Sequence, residues 1–127
     1  MSFFKRLLVL LGFKAKKTVE EQFTEEFENL KTLQVKSLQF GASLEELTPA
    51  LVLGHIERMK TLIIELQQKG SLRADESTIL YVLGNISREE DTINSFGVGL
   101  GLDPDIYLSQ VGASIGDIIK DLVILMK

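Results

Sequence analysis

The chain has 127 residues, 45% hydrophobic and 25% charged, which is the make-up of one folded domain with a real core rather than of a disordered segment. It contains no cysteine, which excludes disulfides, thiolate metal sites and thiol catalysis, and suits a reducing compartment. The net charge of −4 is unevenly placed: Lys5, Arg6, Lys14, Lys16 and Lys17 stand in residues 1–17 without an acid, while residues 18–127 hold the other 9 basic and all 18 acidic side chains.

On a helical wheel of residues 1–17, Phe3, Phe4, Leu7, Leu8 and Leu11 share one face. Lys5, Arg6, Lys16 and Lys17 lie opposite, with Val9 and Phe13 interrupting the basic side. A signal peptide has this order of charge and apolar run, but Lys14-Ala15-Lys16 offers no small-residue cleavage site. A membrane span needs about 20 apolar residues, more than this segment has. Two readings remain. One is an in-plane amphipathic anchor whose lysines meet anionic head groups, each contributing ~1 kcal/mol. The other is a helix packed on its own domain or on a partner chain.

Thr18-Val-Glu-Glu21 is a capping box, and its acidic first turn suits the helix dipole, so the spacing predicts a helix from residue 19. Val19, Phe23, Phe27 and Leu30 form its stripe. Leu33-Gln-Val35 and Leu38-Gln-Phe40 alternate as strands do, but a lone short strand has nothing to pair with, so the helix is extended to residue 40, before Gly41. Ser43 is placed to cap a single turn leading into Thr48.

Thr48 and Pro49 then open a central helix that Gly70 closes. Between them Val52, Ile56, Met59, Ile63 and Leu66 fall at 4-3-4-3 spacing. A matching seam of Ile79, Val82, Ile86, Ile93 and Phe96 predicts a helix over 75–96, antiparallel to the central one. After a glycine-rich connection, Asp103 and Pro104 open a last helix to residue 126, with Val111, Ile115, Ile118, Leu122 and Leu125 on its seam. Gly112 and Gly116 in that helix are small enough to let a neighbouring helix approach closely, and Asp117, Lys120 and Asp121 argue for a soluble core rather than a lipid setting. The expected fold is therefore all-α: a single-domain bundle of four main helices (19–40, 49–69, 75–96 and 104–126) over residues 18–127, with an amphipathic helix over 1–17.

Chemistry-bearing motifs are scarce. Gly97, Gly99 and Gly101 precede a helix, but no strand leads in, no GK[ST] follows, and Asp103 and Asp105 stand where a phosphate would bind, so they read as a turn. His55, the one histidine, has no HxxxH or ExxH partner and reads as a packing or surface residue. The acidic runs Glu20-Glu21, Glu25-Glu26-Glu28 and Glu89-Glu90-Asp91 read as solvated helix faces, and Asp103-Pro-Asp105 lacks the glycine and distal glutamate of a calcium loop. No catalytic, cofactor or metal site is expected, and the acidic body argues against nucleic acid as a partner.

Three functions follow as expectations. The first is a non-enzymatic protein-interaction module, in the cytoplasm or at the inner membrane face, held to an anionic membrane surface or a protein partner by Phe3, Phe4, Lys5, Arg6, Leu7, Leu8, Leu11, Lys14, Lys16 and Lys17. The second is a self-associating structural protein whose first and last helices form intersubunit contacts. The third, and least favoured, is a small-ligand protein or enzyme with a pocket between helices.

Overall fold

The computed structural model describes residues 17–39, 41–98 and 103–127. Helix α1 spans Val19–Leu38, α2 Pro49–Gln68, α3 Glu76–Val98 and α4 Pro104–Met126, and a 3-10 turn at Leu44–Leu47 precedes α2. Among the described residues there is no strand, and the four helices pack as an all-α bundle.

Each helix starts on a side chain that accepts an otherwise orphaned backbone N–H. Thr18 accepts from the Glu21 N–H at 3.1 Å, Thr48 from Leu51 at 3.3 Å, Asp75 from Thr78 at 2.7 Å and Asp103 from Asp105 at 2.9 Å. The Glu21 carboxylate closes its box by accepting the Thr18 hydroxyl at 3.2 Å rather than a backbone N–H. Ser43 makes no such bond, so the short turn after Gly41 stands without the cap that its sequence suggests. Gly70 sits at φ +72 in a Schellman ending to α2: Ser71 N–H donates to the Leu66 carbonyl at 2.9 Å and Gly70 N–H to that of Gln67 at 3.0 Å. Gly41, at φ +76, follows α1.

The helices form a ring of neighbours: α1 packs on α2 and α4, and α3 on α2 and α4. The core they enclose is continuous. Phe23, Phe27, Leu30 and Leu33 come from α1, the central seam from α2, Ile79 to Ile93 from α3, and Tyr107 to Leu125 from α4. Leu47 is fully buried beneath α4, where the Tyr107 hydroxyl donates to its carbonyl at 2.7 Å. Burial pushes the Tyr107 phenol up to about 12.

Three helix ends differ from the sequence reading, and α3 starts at Glu76 rather than at 75. Helix α1 stops at Leu38 and α2 at Gln68, short of 40 and 69. Helix α3 runs on to Val98, and its seam ends on Gly97 rather than on Phe96, which is partly exposed. Position 97, five turns after Ile79, faces the core, and there a Cβ would lie 2.7 Å from Cγ of Pro49, so glycine lets the end of α3 close on the start of α2.

Candidate interaction surface

Of the residues singled out for attachment, Phe3, Phe4, Lys5, Arg6, Leu7, Leu8, Leu11, Lys14 and Lys16 lie outside the described residues, as does the expected helix over 1–17 apart from its last residue. Lys17 is described, and belongs to no helix. Its ammonium pairs with Glu25, two turns along α1, and its carbonyl accepts from Gln22 Nε2 at 3.0 Å. That pairing, foremost the hydrogen bond from Lys17, holds the Glu25 carboxyl below its ordinary value. The Lys17 side chain thus lies along the outer side of α1. Glu21, Glu25 and Glu28 make that side acidic.

Gly112 and Gly116 face α1. A Cβ on Gly112 would come within 2.7 Å of Leu38 Cδ2 and 2.8 Å of Ser37 Oγ, and one on Gly116 within 2.7 Å of Gln34 Nε2. Their stripe continues at helical spacing through Ile119, Val123 and Met126. Met126 ends beside the first turns of α1, in a concavity that Glu20, Phe23 and Leu125 line together with Leu66 and Leu72. A separate shallow concavity lies between the later turns of α1 and the middle of α4, lined by Gln34, Leu38, Gly112, Gly116, Asp117 and Lys120 among others. Apolar side chains along the α1–α4 junction stay in water: Leu38 is 62% exposed, Met126 50% and Val123 38%. Beside it Val35 of α1 is 57% exposed. Lys31 covers part of the α1 wall, its ammonium 5.4 Å from the centroid of the Phe27 ring.

Two carboxylates expected on solvated faces are not there. Glu26 is 3% exposed, because position 26 flanks the stripe of Phe23, Phe27 and Leu30 on the side turned to α2. His55 Nδ1 bonds its Oε1, Asn29 Nδ2 donates to Oε2 at 3.3 Å, and Arg58 Nε stands 3.5 Å from the same oxygen. Glu90 of α3 is half-buried and meets Lys60 of α2 at 2.5 Å, while Lys60 also reaches Glu57 at 3.2 Å. Burial pushes the Glu90 carboxyl up. Hydrogen bonding to Glu90, then to Lys60, holds Glu57 down, and the bond to Glu90 pushes Lys60 up. Exposed Glu20 is drawn to about 2, mainly by Lys69 at 2.8 Å and also by Ser71 at 3.0 Å. These groups tie α1 to α2 and α2 to α3. Every buried side-chain N or O among the described residues has a partner, and none of those residues form a cluster of three or more metal-ligating side chains.

Among the described residues no helix is long and apolar enough to cross a membrane. Residues 99–102, including Gly99 and Gly101 of the suspected turn, lie outside the described residues, and Gly97 belongs to α3. In comparisons with known proteins, no family model, no curated sequence and no solved structure matched this chain.

Proposed function

We propose that the protein is a non-enzymatic interaction module that attaches through residues 3–17 to an anionic membrane surface or to a partner protein. The observation that carries this reading is the contrast between arm and body. Five basic side chains and the apolar face of Phe3, Phe4, Leu7, Leu8 and Leu11 precede a body in which 9 basic face 18 acidic groups. An acidic body is repelled by an anionic surface, so attachment falls to the arm. The bundle supports the reading in a second way. Its described helices already close a continuous core of their own, so the apolar face of the arm has other work available to it.

The chain has no tryptophan, so Leu8→Trp gives a single-site reporter. Attachment to lipid predicts a blue-shifted emission with vesicles containing anionic lipid, weakened by salt. Unshifted emission with such vesicles removes the membrane and leaves the partner protein.

A further inference from the structure

We infer that Glu57, Lys60 and Glu90 form a proton-operated clasp between α2 and α3, which takes up one proton and tightens on mild acidification and slackens towards neutral pH. The charges in this cluster do not balance. Two carboxylates share one ammonium: Lys60 Nζ stands 2.5 Å from Glu90 Oε1 and 3.2 Å from Glu57 Oε2. Those two oxygens therefore lie within about 6 Å of each other, a separation at which one ionised carboxyl disfavours ionisation of the next. Water screens the cluster unevenly. The Glu57 side chain is 64% exposed, whereas those of Glu90 and Lys60 are 15% and 21% exposed. Charge on Glu90 is the costlier of the two.

Among the described residues the charged groups that bear on the Glu90 carboxyl are Lys60 and Glu57, both from α2, and none comes from α1 or α4. On α3 itself, Arg88 is engaged with Asn85. With both acids ionised, Lys60 serves two anions and one negative charge stays unmatched at a half-buried place. With a proton from water on Glu90, its hydroxyl donates to the Glu57 carboxylate and Lys60 matches the one remaining charge. The directions agree: burial pushes Glu90 up, and the bond from Glu90 holds Glu57 down. A raised carboxyl contributes stability that is whole below its unfolded pKa and is lost as pH rises through the folded value. The lowered Glu57 contributes the reverse, losing its share as pH falls through its own folded value. The clasp is therefore tightest near the ordinary carboxyl range, where Glu90 is protonated and Glu57 is not.

The test follows the glutamate side-chain carboxyl carbons of the full chain by NMR, from about pH 8 to about pH 3. Glu90 is expected to titrate at higher pH than Glu57. In Glu57→Gln, an exposed position where the fold is kept, Glu90 has Lys60 to itself and its titration should move to lower pH. A merely structural contact would leave it where it is. Urea midpoints supply a second reading. The wild-type midpoint should gain more between pH 7 and pH 5 than that of Glu90→Gln, which keeps a donor to Glu57 but cannot titrate. Glu90 titrating with or below Glu57 overturns the clasp, as does a Glu90 titration unmoved by Glu57→Gln or a pair of parallel midpoint curves. Should Glu90→Gln fail to fold, the titrations of the wild type and Glu57→Gln decide alone.

Discussion

Glu26 of α1 turns its carboxylate into the α1–α2 interface, where His55 of α2 meets it through Nδ1. A buried carboxylate is tolerated only when paired, and here the pair joins two helices far apart in sequence. Removing His55 leaves Glu26 with Asn29 and the more exposed Arg58. His55→Ala is expected to cost about 1–3 kcal/mol in urea denaturation. In a cycle with Glu26→Leu the second change should cost less once the first is made. Losses that simply add, within about 0.5 kcal/mol, would mean that the two side chains do not act together.

The Tyr107–Leu47 bond anchors the start of α4 over the 3-10 turn. Tyr107→Phe leaves a buried carbonyl without its donor and should cost about 1 kcal/mol. The phenol's pKa is raised from 10 to about 12 in the folded state, so the fold favours the neutral form. That contribution is whole below pH 10 and is lost as pH rises through the folded value. The wild-type protein should therefore lose stability between pH 10 and 12 more steeply than Tyr107→Phe. Parallel stability curves over that window would contradict the assignment.

Helical glycines divide into two kinds. Gly54 and Gly84 have nothing within 4 Å of an added Cβ, so Gly54→Ala and Gly84→Ala should each stabilise by about 0.5–1 kcal/mol. Gly97 and Gly112 are pressed against Pro49 and against Leu38 with Ser37, and alanine at either should cost about 1–3 kcal/mol through overpacking. Thermal unfolding of the four variants checks the division, and the same sign for all four would refute it.

The helices were legible because caps and seams agreed. Thr18, Thr48-Pro49 and Asp103-Pro104 each combined a capping side chain with the onset of an apolar period, and each start is where α1, α2 and α4 begin. Helix ends were less legible. Gly97 stands five full turns after Ile79 and continues the period of α3 better than Phe96 does, but it has no apolar side chain to mark the position as buried. The buried Glu26 was hidden for a related reason. It stands among exposed glutamates, and its partner His55 lies 29 residues away, beyond any local pattern. A clue was available in its position one turn from Phe23 and Leu30. The ridge of α4 that meets α1 was suggested by Gly112 and Gly116, but sequence alone gave no sign that their neighbour is α1.

The central claim, that residues 1–17 hold an otherwise self-sufficient bundle to its target, is tested most directly by sedimentation. The full chain and residues 18–127 are spun with anionic and with neutral vesicles, at low and high salt, after circular dichroism has shown both to be helical. The account predicts that the full chain pellets with anionic vesicles at low salt, less so at high salt, and that residues 18–127 stay in solution. Pelleting of residues 18–127 to the same extent as the full chain would contradict it.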